Sequence, residues 1–332
     1  MTSPANRVDT RRPATVLLLS ALLGWLVPGC DDGPAAGTPG GSGATAATVK
    51  KLKVAATTTM IGDLVRTIGG DRIELTVIMP PGTDPHTYKP STGDIGRLAG
   101  ADLIFYNGLH LEGKMVETFE EKLKDKAVPV AEKGIPADRL IPWQEGQTGA
   151  HDPHVWFDVK LWNLVGATIA DRLDTSDKSA GGEYRRRHAD LNQKLEDLDK
   201  YAREQLATIP KQRRVLVTSH DAYGYFGRAY DVEVRGLQGI STETEAGIQA
   251  INAAVDFIIA RKIPALFVES SVSPKTIQRV QADCKARGVE VRIGGELYSD
   301  AMGQPGEHHG YEVHTYEGMM RYNVDTIVKA LK

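Results

Sequence analysis

A chain of 332 residues is too long for one ordinary core and about right for two domains. Its 41% hydrophobic and 25% charged content is that of a soluble globular protein. The formal net charge is −3 and no run of Lys and Arg is present, so nucleic acid is excluded as an expected partner and function must be sought in local sites.

At the start, Arg7, Arg11 and Arg12 precede an apolar stretch from Val16 to Val27 that stops at Pro28-Gly29-Cys30. A basic segment followed by an apolar run of about 12 residues has the form of an export signal and is too short to span a bilayer. Residues 1–29 are read as that signal. The small residue followed by cysteine resembles the lipobox of bacterial lipoproteins, which implies lipidation of Cys30 as the first residue of the mature chain; the alternative is a plain secreted protein. Residues 30–49 are rich in Gly, Ala, Thr and Pro, cannot bury enough surface to fold, and read as a flexible tether. Signal, cysteine, tether and folded part together imply an extracytoplasmic protein, lipid-anchored to the cell membrane on its periplasmic side. Cys284 is the only other cysteine, so no disulfide is expected, and its helical surroundings mark it as a packed residue.

From Leu52 onward, short β-rich runs alternate with helical stretches. Strands are expected at Leu52–Ala56, Ile73–Met79 and Asp102–Tyr106, with helices over Met60–Ile68 and Thr92–Leu98, the latter capped by Ser91 or Thr92. A further helix is expected at Trp156–Leu173. From Gly182 to Ile209 the apolar or aromatic positions Tyr184, His188, Leu191, Leu195, Leu198, Ala202 and Leu206 step by three or four. That is the seam of an amphipathic helix of about 26 residues, roughly 40 Å long, suited to joining two lobes. A coiled-coil dimer helix is the weaker alternative, since the heptads are too few, and a monomer is expected. Beyond Pro210 the alternation resumes: strands at Arg214–Thr218, Val232–Leu237, Ala265–Glu269 and Val289–Ile293, helices at Ala222–Ala229, Ala246–Arg261, Pro274–Arg287 and Gly318–Leu331. The fold class is thus α/β: two parallel-sheet lobes, 50–181 and 210–332, joined by a long rigid helix at 182–209, with a site in the cleft between them.

The tripeptide Asp-Pro-His occurs twice, at Asp84-Pro85-His86 and Asp152-Pro153-His154, each followed two residues later by an aromatic, Tyr88 and Trp156. Proline fixes its own φ and restricts the residue before it, so each histidine leaves a stiff elbow and loses little entropy on capturing a ligand. Ligands in open α/β sheets bind beyond the carboxyl ends of strands. There the chain places His86, after the second strand, His220, directly after Val215–Ser219, and Asp300, after the strand and loop Val289–Tyr298. His154 lies in the connection to the Trp156 helix. Three imidazoles and one carboxylate make a tetrahedral set for a borderline-soft divalent cation. Ordinary alternatives remain: exposed Asp-Pro turns for His86 and His154, a satisfied helix-start residue for His220, a helix N-cap for Asp300. His110 reads as a core-edge residue, His151 as a loop-rim residue and His188 as structural. His308, His309 and His314 fall in one loop that could offer at most a loose auxiliary contact.

Taken together, Gly82-Thr83-Asp84-Pro85-His86-Thr87-Tyr88 with Pro90, Asp152-Pro153-His154-Val155-Trp156 and Ser219-His220-Asp221-Ala222-Tyr223 carry a family resemblance. So do Gly239-Ile240-Ser241-Thr242-Glu243, Phe267-Val268-Glu269-Ser270-Ser271 and Tyr298-Ser299-Asp300. The chain from about Lys51 onward resembles the metal-binding solute-binding proteins of zinc and manganese ABC transporters, usually bacterial lipoproteins. The resemblance implies metal ligands at His86, His154, His220 and Asp300, zinc or manganese as the transported ion, and an ABC transporter permease as partner. Manganese-selective members often carry a carboxylate where this chain has His220. Zinc-type members often carry a long His-rich loop where 135–150 is short. The chain therefore fits neither subtype cleanly, although three imidazoles favour zinc at equilibrium. Glu243 and Glu269 are candidates for supporting or permease-facing roles. Neutral imidazoles should make binding weaken below about pH 6.5. The expectation is a receptor and not an enzyme: no H-E-x-x-H motif is present, and four protein ligands would leave no water on the metal. A zinc hydrolase and an adhesin with a structural metal are the rival readings.

Overall fold

β1 (Leu52–Ala56) leads straight into a helix because Thr58 closes the turn, its hydroxyl accepting the Ile61 N–H. α1 (Thr59–Gly69) then buries Met60, Ile61, Leu64, Val65 and Ile68. This computed structural model describes residues 50–143 and 149–332; the signal, Cys30 and the tether lie outside the described residues. The first lobe continues through β2 (Ile73–Val77), α2 (Thr92–Gly100), β3 (Leu103–Tyr106), β4 (Ala127–Pro129), α3 (Val130–Gly134) and α4 (Val159–Ser176). Its strands lie in the order β2-β1-β3-β4, all parallel, with Val54 in register with both Leu75 and Leu103. All carboxyl ends therefore face one way, and the loop bearing His86 leaves from that end.

Local chemistry sets the boundaries. Ser91 and Asp94 form a reciprocal capping box at the start of α2. The helix expected from Trp156 begins as a single tight turn, Val155–Phe157, and becomes α4 only after Asp158 accepts the N–H groups of Lys160 and Leu161. Neither β4 nor α3 is foreseen in the sequence. A three-residue strand ending in Pro129 carries no periodic signal, and it sits where proline is tolerated, at the sheet edge.

α5 (Glu183–Ala207) is the long joining helix, and its buried Tyr184, Leu195, Leu198, Ala202 and Leu206 lie on the expected seam. It is packed along its length against α1 and α4, so it acts as a spine and not as a bare strut. The second lobe follows as β5 (Val215–His220), α6 (Gly224–Tyr230), β6 (Glu233–Gln238), α7 (Ile248–Arg261), β7 (Ala265–Glu269), α8 (Lys275–Ala286), β8 (Arg292–Leu297) and α9 (Tyr316–Leu331). Its strands form two parallel pairs, β5 with β6 and β7 with β8, and β5 lies beside β7. Two parallel α/β lobes joined by one helix are therefore the architecture. α9 returns to lie along α5, and one continuous core runs from Leu64 and Trp162 through Leu198 to Met319 and Val324. Cys284 is free and buried within α8.

One strand is displaced from its expected place: β8 runs Arg292–Leu297, not Val289–Ile293. Gly294-Gly295 looks like a stop in the sequence, yet it is the middle of the strand. A Cβ on Gly294 would stand 2.8 Å from Ala330 and from Phe267, and Gly295 has φ +151°. The glycines are what let α9 and Phe267 close against the strand. No helix among the described residues is long and apolar enough to cross a membrane.

Candidate metal centre

Both Asp-Pro-His segments fold as the same small turn. The carboxylate of Asp84 accepts the His86 N–H at 2.9 Å, and that of Asp152 accepts the His154 N–H at 2.9 Å. An aspartate bonding its own backbone two residues on is a turn in its own right, so the stiffness comes from the aspartate as much as from the proline. His220 is the last residue of β5 and not the first beyond it, its N–H held by Glu269 at the end of the neighbouring β7 at 2.9 Å. Asp300 lies three residues past β8 and caps no helix.

These four side chains converge from separate elements, and all are buried. The Nε2 atoms of His86 and His154 stand 3.2 Å apart, and those of His154 and His220 3.4 Å apart. Asp300 Oδ1 lies 3.4 Å from His154 Nε2, and its Oδ2 lies 3.3 Å from His220 Nε2. Donors about 2.0–2.1 Å from a tetrahedral centre stand about 3.3 Å from one another; these four separations match that value, and all four ligand atoms lie within 4.8 Å of one another. Neither oxygen of Asp300 accepts a hydrogen bond of ordinary geometry. A buried carboxylate with both oxygens left over is costly unless a cation faces it. The cluster is able to hold a divalent metal.

Two more carboxylates orient the rings. Asp152 Oδ1 sits 2.8 Å from His154 Nδ1, and Glu269 Oε2 sits 2.5 Å from His220 Nδ1. A carboxylate on Nδ1 places the proton there and turns the Nε2 lone pair inward. Trp156 meets the His154 ring edge-on at 5.2 Å and fixes its tilt. Glu269 was legible as a supporting candidate. In the sequence Asp152 reads only as part of an elbow; its position two residues before a histidine, where it can close a turn and reach the ring, is the available signal.

Electrostatics separates the three imidazoles. Burial, reinforced by His154 and His220 and resisted by Asp300, holds His86 down to about 3. Burial also opposes a charge on His154, but Asp152 and Asp300 reverse it and raise the ring to about 9. His220 is raised well above the ordinary range because Glu269 and Asp300 overcome the same burial cost. For Asp300 burial favours the neutral acid, yet His220 and His154 hold it well below the usual carboxylate range. Without a cation among them, His154 and His220 thus favour the protonated form and Asp300 the ionised form.

The remaining histidines stand apart. His110 is exposed, with φ 63°, and is not the core-edge residue that its neighbours suggest. His151 bridges to Pro142 by backbone, and His188 hydrogen-bonds Asn163 on α4 at 3.1 Å. In the 308–314 loop His309 pairs with Glu307, His308 bridges to Glu312, and His314 is half-buried. Among the described residues only His86, His154, His220 and Asp300 gather as three or more potential ligands.

With that geometry established, comparison with known proteins is specific. Residues 54–330 match the family profile described as zinc-uptake complex component A, periplasmic. The chain is 44% identical over 283 residues to the manganese-binding lipoprotein MntA of Bacillus subtilis, covering 85% of this chain and 90% of that protein. It is also 44% identical over 291 residues to the zinc-binding protein TroA of Treponema pallidum, covering 88% and 92%. The solved structure of the periplasmic zinc-binding TroA superposes with a TM-score of 0.80 at 43% identity, covering 85% of this chain and 99% of that one.

Proposed function

The chain belongs to the periplasmic zinc-uptake component A family, and we propose that it is the extracytoplasmic receptor that captures zinc or manganese and delivers it to an ABC transporter permease. The observation that supports this reading is Asp300, buried with both oxygens free of ordinary hydrogen bonds, 3.4 and 3.3 Å from the Nε2 atoms of His154 and His220 and clustered with His86. His86 and His154 present two donors from the first lobe, and His220 and Asp300 complete the sphere from the second. Four protein donors leave no open position for a water nucleophile, which favours capture and release over hydrolysis. A core shared between the lobes favours release by small displacements at the rim over wide opening.

Relatives divide between a manganese-binding and a zinc-binding name at equal identity. The donor set decides more: three imidazoles bind zinc more tightly than manganese at equilibrium. Relatives named as lipoproteins support lipidation of Cys30, with the 30–49 tether holding a monomeric receptor at the membrane surface. Lobes at 50–181 and 210–332, joined through 182–209, remain the domain organisation that this mechanism uses.

The test is native mass spectrometry with elemental analysis of protein purified without added metal, beside His220→Ala. One ion per wild-type chain, lost in the variant, is the expected result. Equal metal content in both would overturn the assignment.

A further inference from the structure

The two Asp-Pro-His turns are built alike and finished differently. Asp152 turns the oxygen that holds the backbone onto its own histidine ring. Asp84 does not: its Oδ2 accepts the Thr87 hydroxyl at 2.9 Å and the Thr242 hydroxyl at 2.6 Å. Among the described residues no carboxylate is hydrogen-bonded to the His86 ring, so its backbone turn supplies the aim that Asp152 and Glu269 give the other two rings.

Thr242 comes from the other lobe, in the segment between β6 and α7. Its neighbour Glu243 pairs with Lys114 of the first lobe, each side chain about half exposed at 46% and 48%. Three other hydrogen bonds joining the lobes near the site are of a different kind. Tyr225 to the Asp152 carbonyl, Trp156 to the Ser299 carbonyl and Tyr316 to the Trp156 carbonyl are all buried. They form the floor, whereas Thr242 and Glu243 close the rim.

We infer that Thr242 is a positioning residue for His86. Its hydroxyl fixes Asp84, Asp84 fixes the turn, and the turn aims the imidazole at the metal. Thr242 and Glu243 together clasp the first lobe across the mouth of the site. Of the contacts between lobes described above, this is the pair that an engaging permease can reach from solvent, and undoing it frees the one ligand without a carboxylate behind its ring.

This inference rests on the receptor reading, and the test separates the two. Zinc-loaded protein is mixed with excess chromophoric chelator in a stopped-flow instrument, and cobalt-loaded protein is examined by its ligand-field spectrum. Thr242→Val is expected to release zinc about tenfold faster, and Thr242→Ser to return within about twofold of wild type, because a hydrogen bond to a charged carboxylate is restored. The cobalt spectrum should shift in the valine variant and not in the serine variant, a change that loss of fold stability alone would not give. Wild-type release and an unchanged cobalt spectrum in Thr242→Val would overturn the clasp while leaving the receptor reading intact. A wild-type protein that takes up neither zinc nor manganese would overturn both.

Discussion

Trp156 donates its indole N–H to the carbonyl of Ser299 at 2.9 Å. One partner lies two residues past His154 and the other immediately precedes Asp300, so a single bond sets the distance between ligands of the two lobes. The Trp156 carbonyl in turn accepts the Tyr316 hydroxyl at 2.6 Å, tying the same point to α9. Trp156→Phe keeps an aromatic ring beside His154 but leaves the Ser299 carbonyl without its donor. A loss of about 1–3 kcal/mol in folding stability is expected. Zinc affinity should weaken about tenfold with it. Denaturant unfolding of the metal-free protein and chelator competition measure the two separately.

The outer carboxylates should matter nearly as much as the ligands. Glu269→Gln and Asp152→Asn each retain shape while weakening the hold on an Nδ1 proton, and each should lower metal affinity by about 10–100-fold. Circular dichroism should show the fold intact. Affinity unchanged in both variants would mean that the imidazoles are aimed by packing alone.

Metal and protons compete for the same rings. With His154 raised to about 9 and His220 raised well above its ordinary value, both favour the protonated form in the metal-free site. Binding should therefore release close to two protons and conserve the buried charge. Affinity should rise with pH up to about 9, not level off near 6.5 as unperturbed imidazoles would. For the metal-free fold the sign is opposite: the His154 contribution is complete below about 6.5 and is lost as pH rises through about 9. Calorimetry at pH 7 in buffers of different ionisation enthalpy counts the protons, and none released would refute this charge exchange.

Asp94 offers a stability prediction separate from metal. Burial disfavours its charge, but hydrogen bonds from Ser91 and Tyr88, with Arg97 alongside, hold it down to about 2. Its contribution is present above the ordinary carboxylate pKa and is lost as pH falls from about 4 to about 2. Asp94→Ala should cost about 1–2 kcal/mol at pH 7 by opening the capping box, and the cost should shrink in acid. Zinc affinity should stay within about twofold of wild type, since the ligands keep their own supports.

The sequence brings forward the candidate ligands more completely than their supports. His86 and His154 stood out because their turns are local, closed within three residues. His220 and Asp300 were found because strand ends are where α/β sheets place ligands. The roles of Trp156 on Ser299 and Thr242 on Asp84 depend on partners brought together only by folding, 143 and 158 residues apart, whereas Asp152 lies two residues from the His154 ring that it holds. In the fold, elements with strong periodicity such as α5 were legible. β8 was misplaced because close packing, not turn chemistry, is the reason for Gly294-Gly295, and β4 was too short to leave a pattern.

The most direct test of the account is a crystal structure of the zinc-loaded protein with anomalous data collected at the zinc edge. The account predicts one strong peak within about 2.0–2.2 Å of the Nε2 atoms of His86, His154 and His220 and of Asp300, with no water in the inner sphere. A peak at the 308–314 histidines instead, or an ion at the centre that keeps a water and lacks any one of the four ligands, would contradict it.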